Sequence, residues 1–129
     1  MKSILIIEDQ PDIRRLICWA LEFEGYALHE AANGEAGLAA ARAIRPDLIL
    51  LDVMMPGGLD GLQVCAMLKA DPALAHVPVV LLTARAQDSD REAGRQAGAN
   101  AYLVKPFSPS ALTATVTSLI PHSGRARRP

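Results

Sequence analysis

The chain has 129 residues, 50% of them hydrophobic and 21% charged, which fits one compact domain with a single core and excludes two full ones. Apolar content this high excludes an intrinsically disordered chain, and no apolar run approaches the roughly 18 residues that a membrane-spanning helix needs. The formal net charge is −1, but Arg125, Arg127 and Arg128 lie at the very end, so the first 124 residues hold 14 acids against 10 bases and carry no electrostatic footprint for nucleic acid.

Met1 to Ile7 is too short an apolar stretch for a secretory signal and runs directly into Glu8-Asp9, so a cytoplasmic protein without membrane association is expected. Cys18 and Cys65 both fall in apolar helical patterns, which points to buried, reduced thiols and not to a disulfide. No Cys/His cluster with metal-ligand spacing is present.

Lys2 to Ile7 is a short β-branched apolar run of the kind buried on both faces of a parallel sheet, and it predicts the first strand. Pro11 suits the first turn of a helix in which Ile13, Leu16, Ile17, Ala20 and Leu21 recur at helical spacing, and Gly25 supplies the stop. Tyr26 to Ala31 predicts the second strand. Asn33 can cap a helix running to about Ile44, which Pro46 closes. Leu48 to Leu51 is a third buried strand ending at Asp52, and a loop with Pro56, Gly57, Gly58 and Gly61 follows.

The third helix places Leu62, Cys65, Ala66 and Leu68 on its apolar side and ends at Asp71-Pro72, and Val77 to Thr83 predicts strand four. Asp88 to Gln96 reads as a helix weakened by Gly94, which costs about 1 kcal/mol relative to Ala, with Gly98 as terminator. Tyr102 to Val104 is strand five. Ser108-Pro109 opens a last helix to about Ile120 in spite of Thr113, Thr115, Val116 and Thr117, whose β-branches lower helix propensity. A domain spanning residues 1–120 with an Arg-rich tail or linker stub at 121–129 is expected, and those nine residues are too few to form an output domain.

Five βα units imply a doubly wound α/β fold, a parallel sheet with helices on both faces, because right-handed crossovers leave few other ways to bury strands this apolar. Ligands in such sheets bind beyond the carboxyl ends of the strands. Glu8 and Asp9 follow strand one, Asp52 ends strand three, Thr83 ends strand four and Lys105 follows strand five, so all five converge on one rim. Three adjacent carboxylates repel one another and take up protons unless a cation offsets them. An all-oxygen ligand set suits a hard ion, with Mg²⁺ the natural candidate. Asp52 could then attack phosphorus to form an acyl phosphate, with the Thr83 hydroxyl and Lys105 ammonium neutralising charge on the phosphoryl oxygens. Each residue alone has a plainer explanation: a helix N-terminal cap or solvated turn for Glu8-Asp9, turn chemistry for Asp52, a helix-entry cap for Thr83, a surface cation for Lys105. Their joint occurrence at successive strand ends favours one site.

The runs Ile4-Leu5-Ile6-Ile7-Glu8-Asp9, Asp47 to Pro56, Leu81-Leu82-Thr83-Ala84 and Gly98 to Phe107 resemble the receiver domain of bacterial two-component response regulators over about residues 3–120. The resemblance implies a flavodoxin-like five-stranded sheet of order 2-1-3-4-5 with five helices. It implies that Asp52 is the phosphoacceptor, that Glu8, Asp9, Asp52 and the Met54 backbone carbonyl hold Mg²⁺, and that Thr83 and Lys105 contact the phosphoryl group. It further implies a cis peptide before Pro106, a small residue at Ala84 beside the phosphate, and Met54 and Arg85 flanking the path of attacking water. Tyr102, by residue type a half-buried core aromatic, becomes with Thr83 a switch: phosphate draws the hydroxyl inward, Tyr102 turns into the space, and the face of helix four, strand five and helix five changes.

On that basis the chain is expected to be a phosphorylation-dependent signalling switch, not an enzyme acting on outside substrates. It would take its phosphoryl group from a sensor histidine kinase or phosphotransfer protein and signal to a downstream protein as a monomer or weak phosphorylation-dependent dimer. Two departures stand out. The Gly57-Gly58-Leu59-Asp60 loop is one residue longer than the commonest pattern, and Ser108 to Ile120 lacks the charges typical of receivers that dimerise through helices four and five. A haloacid-dehalogenase-like phosphatase would need a second aspartate where Met54 stands. A flavodoxin-type flavin module would need a hydroxyl- and amide-rich phosphate loop where Glu8-Asp9-Gln10-Pro11-Asp12 stands. A phosphorylation-independent interaction domain would usually have lost the acceptor or the lysine.

Overall fold

A computed structural model of the chain describes residues 1–120 apart from Pro56, Arg85, Ala86 and the side chain of Asp88. Strands and helices alternate: β1 (Ser3–Ile7), α1 (Pro11–Leu21), β2 (Ala27–Ala31), α2 (Gly34–Ile44), β3 (Leu48–Asp52), α3 (Gly61–Ala70), β4 (Val79–Thr83), α4 (Asp88–Gln96), β5 (Ala101–Val104) and α5 (Pro109–Leu119). The strands form one parallel sheet in the order β2-β1-β3-β4-β5. This is the doubly wound, flavodoxin-like architecture expected. The Arg-rich tail and Arg85 lie outside the described residues.

The central strands are continuous apolar runs because both faces are covered, and every residue of β3 and β4 is buried. Side chains alternate between two cores. Leu5, Ile7, Ile49, Leu51, Val79 and Leu81 share one with Leu38, Ala41, Val64, Cys65 and Leu68 of α2 and α3. Ile4, Ile6, Leu48, Leu50, Val80 and Leu82 share the other with Ile17, Leu21, Leu112 and Val116 of α1 and α5. Each fully buried branched aliphatic contributes roughly 1.5–3 kcal/mol of transfer free energy. Gly94 is a close-packing position, since a Cβ there would stand 2.9 Å from Leu81 Cδ1.

Local capping follows the sequence. Asn33 accepts from the Ala36 N–H at 2.8 Å, and Ser108 from Ala111 at 3.0 Å. Asp60 and Gln63 form a reciprocal capping box at the start of α3. The threonine-rich α5 is tolerated because Thr113 and Thr115 donate their hydroxyls to the carbonyls of Pro109 and Ala111, one turn back.

The structure corrects four local expectations. β4 begins at Val79, two residues later than the apolar run, because Pro78 has no N–H and the Val77 N–H is spent on Leu74 O at 2.9 Å. β2 begins at Ala27, since Tyr26 turns inward and donates its hydroxyl to Ile120 O at 3.1 Å. Ala66 is exposed, and the buried face of α3 is Gly61, Val64, Cys65 and Leu68, a cleaner i, i+3, i+4, i+7 stripe. Cys18 is half-buried instead of enclosed, whereas Cys65 is buried. Burial pushes both thiols up to about 11, with Glu30 adding to the rise at Cys18, so both are protonated at neutral pH.

Candidate functional site

Parallel pairing sends all five strands toward the same edge, and register decides which side chains meet there. Ile7 pairs with Leu51, so Glu8 and Asp52 are the next residues along adjacent strands. Asp52 pairs with Leu82, which puts Thr83 one step beyond on β4, and Thr83 pairs with Val104 just before Lys105. The Lys105 N–H donates to the Thr83 carbonyl at 2.6 Å, and the Lys105–Pro106 peptide is cis, as expected.

The rim is polar yet buried: Glu8, Asp52 and Thr83 are at most 2% exposed. Carboxylate oxygens of Glu8, Asp9 and Asp52 all lie within 4.8 Å of one another. The Lys105 ammonium joins them, with Nζ 3.0 Å from Glu8 Oε1 and 3.1 Å from Asp52 Oδ1. One ammonium cannot balance three acids. Burial, the adjacent Asp9 carboxyl and the Glu8 charge push Asp52 up to about 7, against a partial offset from Lys105. At Lys105 burial alone would lower the pKa, but the Glu8 and Asp52 carboxylates outweigh it and raise it, so the amine stays charged.

The fit to a hard divalent cation rests on two features. The donor set is all oxygen, and Glu8 Oε1, although within ion-pair distance of Lys105, lacks a directed hydrogen bond in a fully buried position. Residues Glu8, Asp9 and Asp52 therefore suit such an ion. Met54, two residues beyond Asp52, is largely exposed, and its N–H makes a long 3.4 Å contact to Asp52 Oδ1.

Close packing fixes the acidic residue from below. The Gly61 N–H donates to Val53 O at 2.9 Å, and a Cβ at Gly61 would overlap the Asp52 carbonyl oxygen and stand 2.6 Å from Val53 Cα. The β3–α3 loop before it includes Gly57 with φ +104°, a conformation that favours glycine. Tyr102 is half-buried against the core beneath α4, with the Arg91 guanidinium 5.5 Å from its ring centroid.

Two residues at the rim escaped sequence reasoning. Arg14 of α1 donates to the Glu8 carbonyl at 2.8 Å, and Glu30 of β2 holds its other side at 3.1 Å. Nothing local marks the pair; they are 16 residues apart and become partners only when β2 lies beside β1.

Such a rim, with buried acids beside a lysine at the carboxyl ends of a parallel 2-1-3-4-5 sheet, defines a doubly wound α/β protein whose polar cluster lies at the edge where that class binds ligands. Residues 4–117 match the response regulator receiver domain family, and the chain belongs to that family. It is 40% identical to the phosphate regulon transcriptional regulatory protein PhoB of Klebsiella pneumoniae over 92% of this chain and 52% of that protein. It is 42% identical to the transcriptional regulatory protein ResD of Bacillus subtilis, over 92% of this chain and 48% of that protein. The chain thus spans about half the length of the curated relatives it matches. Among solved structures, the chemotaxis protein CheY4 of Vibrio cholerae superposes with a TM-score of 0.88 at 30% identity, covering 93% of this chain and 99% of that one. The receiver domain of a sensor histidine kinase from Pseudomonas aeruginosa, described with a magnesium ion coordinated in its active site cleft, gives 0.84 at 35% identity, covering 92% and 97%. No helix among the described residues is long and apolar enough to cross a membrane.

Proposed function

We propose that residues 1–120 form a receiver unit that takes a phosphoryl group onto Asp52 from a phosphohistidine of a sensor kinase or phosphotransfer protein. The observation that carries this reading is the placement of Asp52, 2% exposed, between two further carboxylates and the Lys105 ammonium. In the transfer an Asp52 oxygen bonds to phosphorus, the phosphorus–nitrogen bond of the donor breaks, and the imidazole leaves with a proton.

Glu8, Asp9, Asp52 and the Met54 carbonyl would hold Mg²⁺, which when bound supplies charge neutralisation for the phosphoryl oxygens. Lys105, 3.1 Å from Asp52 Oδ1, is placed to trade its carboxylate contact for a phosphoryl oxygen. Thr83, one residue past the register partner of Asp52, offers its hydroxyl to another. Exchange of that contact frees space for Tyr102 and alters the face it shares with α4 and α5, the surface read by a downstream protein. The absence of a second acid at Met54 argues against hydrolysis of outside phosphate esters, so the chemistry is confined to the chain's own acyl phosphate. The setting is the cytoplasm, where the kinase's phosphohistidine is made, and the chain acts as a monomer or a weak phosphorylation-dependent dimer.

The test is incubation with acetyl phosphate, with and without Mg²⁺, followed by intact mass measurement of the wild type and Asp52→Asn. A base-labile phosphate on the wild type alone, dependent on Mg²⁺, is the expected result. Absence of that adduct from the wild type ends the proposal.

A further inference from the structure

Arg14 takes no part in the chemistry proposed above, yet its side chain is directed at the acidic turn. Nη1 donates to the Glu8 carbonyl at 2.8 Å and lies 3.5 Å from the Asp9 carbonyl, while Nε is 3.1 Å from Glu30 Oε1 on the edge strand β2. The side chain is 21% exposed, in contrast to 75% for its neighbour Arg15, which pairs with Asp12 on the same helix. At the start of α1 Gln10 makes no side-chain cap bond; its N–H donates to Glu8 Oε2 at 3.2 Å and so steadies the Glu8 carboxylate, while the backbone carbonyls of the turn are held by Arg14. On the sheet side the Glu8 N–H is held by Ala31 O at 3.0 Å, and Arg14 restrains the same turn through its carbonyls.

We infer that Arg14, oriented by Glu30, is a positioning residue that fixes the Glu8–Asp9 backbone so that both carboxylates are presented together to a divalent cation. The inference rests on the metal reading of the site. A guanidinium suits the task because its rigid planar fork fixes the carboxylate on one side and the carbonyls on the other at set angles, whereas the rotatable donors of an ammonium set no such angle. Charge and geometry make opposite predictions here. A positive group beside a cation site repels the cation, so if Arg14 acted through charge alone its removal would tighten metal binding. If it positions the turn, removal weakens binding.

The experiment is an amide chemical-shift titration of the whole chain with MgCl₂, with melting temperature of the metal-free protein recorded in parallel. Arg14→Ala is expected to weaken Mg²⁺ binding by about ten-fold, the scale of other supporting-shell losses at metal sites. Arg14→Lys is expected to fall close to it because charge alone does not restore the fork. Arg15→Ala, which removes the same charge from an exposed position on the same turn, is expected to leave the affinity within about two-fold of wild type. Because Arg14→Lys keeps the charge and the apolar stem, it carries the test where Arg14→Ala does not fold, and a loss of Mg²⁺ affinity in it cannot be electrostatic. Arg14 variants that bind Mg²⁺ as tightly as the wild type, or tighter, overturn the inference while leaving the metal site standing. In the same titration a wild type that binds no Mg²⁺ overturns the metal reading first and this inference with it.

Discussion

Two lysines near opposite edges of the sheet show how one residue type is used for different ends. Lys69, near the end of α3, places its ammonium among neutral oxygens: the Val77 carbonyl at 2.8 Å, Asn100 Oδ1 at 2.9 Å and the Ala75 carbonyl at 3.3 Å. Burial lowers its pKa, and three donors meet three acceptors. Asn100 also accepts the Val79 N–H at 2.9 Å, so this group ties α3 to the entrances of β4 and β5. Lys105, at the other edge, sits among acids that raise its pKa and still outnumber it. The first arrangement is satisfied and stabilises the fold. The second is under-compensated in charge, a state that costs stability and that a bound cation would relieve.

The comparison can be broken most severely at Gly61, against the backbone of Asp52 and Val53. Gly61→Ala should destabilise the chain by about 3 kcal/mol or more, because the clash is with backbone that cannot rotate away. Denaturant unfolding reads this directly, and a loss below about 1 kcal/mol would show that α3 can shift. Next in size is Lys69→Met, which removes the satisfied ammonium and should cost about 2 kcal/mol in the same assay.

Asp52→Asn should act in the opposite direction. Without metal it is expected to stabilise the protein by about 1–2 kcal/mol at pH 7.5, since it removes a buried charge whose ionisation the fold opposes. The pH dependence follows from the raised pKa. The native chain holds the Asp52 proton up to about 7, whereas the unfolded chain loses it near 3.8. The Asp52 contribution to stability is therefore full below about pH 4 and is lost as pH rises toward 7. That slope should be visible in the difference between the metal-free wild type and Asp52→Asn; parallel pH profiles would sink it. The smallest effect is the remedy: Mg²⁺ at ten times its Kd should stabilise the wild type by about 1.4 kcal/mol, and the Asp52→Asn variant by less. Equal stabilisation of both would place the ion elsewhere.

Much of this was legible without coordinates because the signals are local or periodic. Uninterrupted apolar runs at Ile4–Ile7 and Leu48–Leu51 mark strands covered on both faces, and Asn33 and Ser108 mark helix starts where the structure has them, whereas α1 ends at Leu21, four residues before the expected stop at Gly25. Glu8, Asp9, Asp52, Thr83 and Lys105 were legible as a group because parallel strands must all end on one edge, so position at a strand's carboxyl end implies convergence. The start of β4 was misread because hydropathy at Val77 does not reveal where its N–H goes. Ala66 was misplaced because a small apolar residue carries little information about facing.

The sequence by itself determined the order of elements, the two-faced burial of the sheet and the identity of the residues that crowd its rim, since these follow from period, capping and chain direction. Only the tertiary structure decided that Asp52 is pushed up to about 7, that Lys105 reaches both Glu8 and Asp52, and that Arg14 and Glu30 grip the acidic turn. Those facts depend on desolvation and on distances between segments far apart in the chain, and no local pattern encodes either one.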